Sequence, residues 1–169
     1  MNKRQSAILC LLALSLLAAG CSTTGRNPLN PRSVEQPVPY PVSLTLPQKI
    51  VIHSFTSFKT FEEGGKGIEA HIEPKDAFND GTKAFGEFRF LLYKFLPQSP
   101  DPKGQQIASW TENLMDPSKN ALHWTTTRTY KFRLRLDPQL KAGDQFVLVA
   151  WFSSPYTERL FAQSVITAD

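Results

Sequence analysis

The chain has 169 residues, with 19 Lys and Arg against 15 Asp and Glu for a net charge of +4, and two cysteines. That length accommodates one domain with a tail, and 41% hydrophobic residues with 11% aromatics exclude a disordered chain. Two cysteines exclude a disulfide framework, and thirteen prolines with nine glycines are too few and too clustered for collagen or low-complexity sequence.

The N-terminus reads as an address. Lys3 and Arg4 form a positive segment, and Ala7 to Ala19 is a 13-residue apolar run closed by Gly20 and Cys21. Spanning a bilayer takes about 20 such residues, so the run has the length of an export signal. Leu17, Ala18, Ala19 and Gly20 directly before Cys21 resemble the lipobox of bacterial lipoproteins. The resemblance implies a signal peptide over residues 1–20, transfer of a diacylglyceryl group to the Cys21 sulfur, cleavage before Cys21 and acylation of the freed amine. Membrane lipid is then a partner through Cys21: about 0.8 kcal/mol accrues per buried methylene, and two or more chains make attachment stable. Ser22 rather than Asp follows the cysteine, which in enteric lipoproteins permits outer-membrane transfer. The expected location is therefore the cell envelope, on the periplasmic face of the outer membrane.

Processing changes the charge. Losing Lys3 and Arg4 takes the 19 basic residues to 17 against 15 acidic ones, a net of +2, and no nucleic-acid partner is inferred from so small an excess. Cys10 leaves with the signal and Cys21 carries lipid, so the mature chain is expected to have no thiol for catalysis, metal binding or disulfides.

Residues 21–48 form the lipidated N-terminus and a disordered Pro-rich tether. Six of the thirteen prolines fall here (Pro28, Pro31, Pro37, Pro39, Pro41 and Pro47) and favour extended polyproline II. Fully extended, residues 22–48 reach roughly 80 Å. The plain reading is a spacer. A sharper one is a ligand for a proline-reading partner, or an edge strand formed by the alternating Val38, Tyr40, Val42, Leu44 and Leu46.

From Lys49 to Asp169 the hydrophobic period is two, which predicts strands. The first covers 49–57, led by Ile50 and Ile52. Ile68, Ala70 and Ile72 alternate with Glu69, His71 and Glu73 in the second. Phe85 to Leu96 is the third, Ile107 to Thr111 the fourth, and Tyr130 to Leu136 the fifth. Phe146 to Phe152 is a continuous apolar sixth, and Leu160 to Thr167 the seventh. Gly64-Gly65, Asn79-Asp80-Gly81, Pro97 to Gly104, Asp137-Pro138, Ala142-Gly143-Asp144 and Ser154-Pro155 supply the turns. Asp116 and Pro117 predict one short helical turn over 117–122. The expected fold is all-β: a seven-stranded antiparallel β-sandwich, immunoglobulin-like, with the two most apolar strands central. The spacing of Asp76, Asp80, Lys83, Gly86, Phe88, Phe90, Leu92 and Tyr93 also resembles uncharacterised exported bacterial β-sandwich proteins, a group that brings no activity with it.

The candidate chemistry is sparse. Asp76, Asn79 and Asp80 offer oxygen ligands for calcium, or else build an Asx-type turn; the alternating acids and distal glutamate of an EF-hand are missing. His53, His71 and His123 lack any paired metal spacing; His71 is expected to be solvated, and the other two to make tertiary contacts. Phosphate-loop, dinucleotide and serine-nucleophile motifs are absent, and Gly64-Gly65-x-Gly67 suits a hairpin loop. Lys131, Arg133 and Arg135 form a basic ladder that either meets an anionic surface or guards a sheet. Trp110, Trp124, Trp151 and Tyr156 are candidates for stacking on sugars. Trp151, inside FVLVAWF, is expected in the core, and Tyr156 is the best placed to be exposed.

These residues predict a membrane-anchored, non-catalytic sandwich without cofactors, acting as an interaction or structural module of the envelope, with an envelope protein or polysaccharide as partner. The alternative is a ligand-binding sandwich that takes calcium or carbohydrate.

Overall fold

A computed structural model describes residues 37–136 and 140–168. The expected leader, Cys21 and most of the tether lie outside the described residues, as does the Asp137-Pro138 turn. Eight strands follow in chain order: β1 (Lys49–Ile52), β2 (Ser57–Thr60), β3 (Lys66–Lys75), β4 (Glu87–Phe95), β5 (Lys103–Asn113), β6 (Tyr130–Leu136), β7 (Gln145–Ser153) and β8 (Leu160–Thr167). One helix, α1 (Pro117–His123), lies between β5 and β6.

The strands make two antiparallel sheets of four. In sheet A, β3 is central, with β6 along one side and both β1 and β2 along the other. Sheet B has the order β5-β4-β7-β8, so the two most apolar strands, β4 and β7, are central as their sequences require.

Alternation builds the core. Ile68, Ala70 and Ile72 of β3 and Phe132 and Leu134 of β6 face inward from sheet A. Phe88, Phe90 and Leu92 of β4 and Leu148, Ala150 and Phe152 of β7 face them from sheet B. The Phe132 ring packs 5.3 Å from Phe88 and 5.0 Å from Phe90, joining the two sheets through aromatic contacts. Near the rim, Trp110 of β5 donates through Nε1 to the Arg135 carbonyl of β6 (2.8 Å), a second tie between the sheets.

The strand count differs from the expected seven because the segment 49–57 is broken. Ile52 pairs with Ile72, but the next rung on that side is Ser57 with Glu69, so four residues oppose two. The chain turns out at His53, where the Thr56 N–H bonds the His53 carbonyl (3.0 Å). The His53 N–H still donates to the His71 carbonyl (2.8 Å), and a side chain completes the rung: the Thr56 hydroxyl accepts from the His71 N–H (3.0 Å) and lies 3.3 Å from the same carbonyl as a second donor. Periodicity cannot detect such a break, because Ile50, Ile52 and Phe58 keep the same parity on both sides of it.

The helix forms where expected. The Asp116 carboxylate accepts from the Ser118 and Lys119 N–H groups (2.7 and 3.4 Å), and Pro117 occupies the first helical position. Asn120 anchors it. Its Nδ2 donates to the carbonyls of Ala84 (2.7 Å) and Leu114 (3.0 Å), and its Oδ1 accepts from the Tyr130 hydroxyl (2.8 Å). That hydroxyl also accepts from the Ala84 N–H (3.0 Å). The network is buried and satisfied, and it locks helix, β3–β4 connection and β6 together.

The end of the tether docks on the domain, but as a 3-10 turn over Val42–Thr45 rather than as an edge strand. The Leu44 and Thr45 carbonyls accept from the Ala77 N–H (3.1 Å) and the Thr82 hydroxyl (2.8 Å). Pro39, Pro41 and Pro47 lack the N–H groups that a ladder needs.

Candidate interaction surfaces

The outer faces of the two sheets differ in chemistry. On sheet A, register sets Lys131 beside His71, Arg133 beside Glu69 and Arg135 beside Gly67. The predicted basic ladder does form, and much of its charge is matched. Arg133 and Arg135 both bond the Glu63 carboxylate, and Lys131 lies 3.9 Å from Glu69. Glu63 arrives because the β2–β3 hairpin folds over the sheet, with Gly64 and Gly65 at positive φ. Phe61 seals the fold-back by lying over Gly67, where any side chain would collide with the Phe61 ring and the Leu134 carbonyl. Sequence reasoning missed this counter-ion; the signal available was a pair of acids, Glu62-Glu63, just before the two glycines.

His71 is on this face but is not solvated. Its side chain retains 13% exposure, its Nε2 meets Glu69 Oε1 at 3.3 Å, and its Nδ1 is buried without a hydrogen-bond partner. Phe55 covers it, with ring centroids 6.1 Å apart, and His53 packs on the other side of Phe55 at 4.2 Å. His123 lies elsewhere, bonding the Lys131 carbonyl (2.9 Å) and packing on Phe132. Phe55 thus packs against both His53 and His71, and of the two it is His71 that meets a carboxylate. Among the described residues, no three His, Cys, Asp or Glu side chains are grouped to hold a metal ion.

The Asp76–Asp80 loop is wound into a turn. Asp76 Oδ1 accepts from the N–H groups of Phe78 (2.9 Å) and Asp80 (3.0 Å), and Asn79 takes the left-handed conformation at φ 65°. The Asp76 oxygen aimed into the loop is therefore occupied by backbone donors. Tyr156 is partly buried in the β7–β8 turn, where its N–H bonds the Ser154 hydroxyl (3.2 Å).

Sheet B carries the opposite chemistry. Cross-strand rows on its outer face read Arg89, Trp151, Phe161; then Leu91, Val149, Gln163; then Tyr93, Val147, Val165. Trp151 was expected in the core. It alternates with buried Ala150 and Phe152, so it faces outward, partly covered by Phe161 (ring centroids 4.8 Å) and the Arg159 guanidinium (6.0 Å). An all-apolar run hides which residues point out; only pairing with β4 and β8 separates them. Phe161 and Val165 remain 45% and 46% exposed. Val147 and Val149 of β7 are buried at 1% and 2%, so the exposed apolar surface of this face lies along β8, the edge strand.

Neither a protein-family model, nor a curated protein, nor a solved structure matches the chain. No helix among the described residues is long and apolar enough to cross a membrane.

Proposed function

We propose that the chain is a lipoprotein anchored through Cys21 to the periplasmic face of the outer membrane, and that its immunoglobulin-like sandwich is a non-catalytic interaction module of the cell envelope. The anchor rests on the lipobox-like residues Leu17 to Cys21. The likeness to immunoglobulin-type sandwiches rests on two antiparallel sheets joined by an aromatic core. The observation that carries the interaction role is the outer face of sheet B, where Trp151, Phe161 and Val165 are turned away from a core that is already filled. Tethering raises effective concentration at the membrane, so a modest contact area suffices for a partner on the same surface.

Two measurements test this. Intact mass of the native protein carries the added acyl chains, and Cys21→Ser loses both that mass and membrane partitioning; an unmodified native mass overturns the anchor. Photo-crosslinkers at Phe161 and Val165 in living cells give discrete adducts with envelope components, whereas the same probe at exposed Lys119 of α1 does not; equal labelling from the sheet B positions and from Lys119 overturns the assignment of sheet B.

Carbohydrate binding is the second reading, favoured by Trp151, Phe161 and the Arg159 guanidinium within one surface patch. It expects protection of Trp151 fluorescence from quenching by soluble envelope glycans. An unchanged quenching curve removes it.

A further inference from the structure

Sheet A matches its arginines and sheet B does not. Among the described residues, Arg133 and Arg135 share the Glu63 carboxylate, whereas Arg89 of β4 and Arg159, the residue before β8, form no ion pair. Both flank Trp151. Register places Arg89 directly beside it, with Thr111 of β5 beyond Arg89 and Phe161 of β8 beyond Trp151. Hydroxyl, guanidinium, indole and phenyl thus cross the outer face in one row, about 14 Å long at the usual strand spacing. The Arg159 guanidinium approaches the indole from the β7–β8 turn, 6.0 Å from the ring centroid. Arg89, Arg159 and Phe161 are all exposed.

The chemistry of this row selects its occupant. A guanidinium forks onto a carboxylate through two parallel N–H donors, and it also stacks on aromatic rings. The indole face is electron-rich and attracts the C–H groups of a sugar ring. The Trp110 N–H is held by the Arg135 carbonyl, while that of Trp151 makes no hydrogen bond among the described residues. Arg89 and Arg159 stand two strands and two residues apart, so their backbones are separated by about 12 Å. That spacing suits acids on separate units of a chain better than one small anion. The nearby carboxylates, Glu87 on β4 and Glu158 in the β7–β8 turn, lie outside the row and pair with neither arginine.

We propose that this row binds an acidic polysaccharide, a chain of sugars carrying carboxylates. One sugar face lies on Trp151, and carboxylates of neighbouring units are held by Arg89 and Arg159. The inference rests on sheet B being an interaction face and names the ligand of that face; it does not depend on the Cys21 anchor.

The test follows the indole N–H signals of the full chain in a neutral detergent by NMR, with Trp151→Phe identifying the Trp151 signal. Tetragalacturonate shifts that signal saturably and leaves those of Trp110 and Trp124 in place. Its methyl-esterified form, with the same rings and no charge, binds about tenfold more weakly. Arg89→Gln and Arg159→Gln each weaken tetragalacturonate binding about threefold. Their melting temperatures stay at the wild-type value, because both side chains are exposed. Four results overturn the proposal: the methyl ester binding as tightly as the acid, hexaglutamate shifting the Trp151 signal with equal affinity, both arginine variants binding as tightly as wild type, or no saturable shift. Where crosslinks from Phe161 and Val165 persist beside such a result, only the acidic polysaccharide is lost; where they vanish too, the interaction face itself fails.

Discussion

The two outer faces of this molecule are both built on antiparallel sheets of four strands, yet one is charged and paired from within, while the other is apolar, buried at Val147 and Val149 and exposed at Phe161 and Val165. On sheet A, Glu63 and Glu69 meet Arg133, Arg135 and Lys131, so the sequence's most conspicuous charge run is largely internal bookkeeping. On sheet B, Trp151, Phe161 and Val165 have no such partner layer. A conspicuous motif thus resolves into local structure, while the surface that stands out physically sits inside runs that look like core. Each face therefore responds differently to substitution.

The largest effect tests what lies between the faces. Phe88→Ala removes a ring in contact with Phe90, Tyr130, Phe132 and Phe152, and is expected to cost about 3–5 kcal/mol in urea unfolding, more than any outer-face change. Next comes the polar anchor. Tyr130→Phe leaves Asn120 Oδ1 and the Ala84 N–H unpaired in the interior, at a cost of about 1–3 kcal/mol. Burial pushes the Tyr130 hydroxyl above its ordinary pKa of 10.0, against the opposing effect of its bonds to Ala84 and Asn120. The folded state therefore holds this proton more tightly than the unfolded chain. The stabilisation is complete below pH 10 and is lost as pH rises through the raised folded value. Wild-type stability is expected to fall steeply above pH 10, and Tyr130→Phe to flatten that fall.

Phe161→Ser separates the faces more finely. The side chain is nearly half exposed, so stability should change by no more than about 1 kcal/mol, while crosslinking from Val165 disappears. The smallest effect belongs to sheet A. Glu63→Gln removes a counter-ion from exposed pairs that are each worth about 0–1 kcal/mol, so the melting temperature should barely move. Retention on an anionic column at low salt should nevertheless rise, because Arg133 and Arg135 are released. A large loss of stability in Glu63→Gln would mean that the charged face is structural after all.

Much of the architecture was legible because alternation is a strong signal in this chain. Tyr130 to Leu136 and Leu160 to Thr167 match β6 and β8 at both ends, and the Asp116-Pro117 pair marks the start of α1. What was not legible depends on contacts distant in sequence. Thr56 replaces a rung opposite His71, Glu63 crosses to Arg135, and Trp151 turns outward because of its pairing with Arg89 and Phe161. None of these leaves a local pattern. The anchoring segment shows the reverse case, since its reading comes wholly from local residue order.

The Thr56 hydroxyl has one more consequence. Because four residues stand opposite two at that corner, β1 and β2 lie on the same flank of β3 but out of step with each other by two residues. A straight strand from a neighbouring molecule can follow one of them and then meets the four-residue excursion from His53 to Thr56, which interrupts the ladder. That interruption works against fibre growth along this border, and the Thr56 hydroxyl satisfies the backbone groups it leaves on His71.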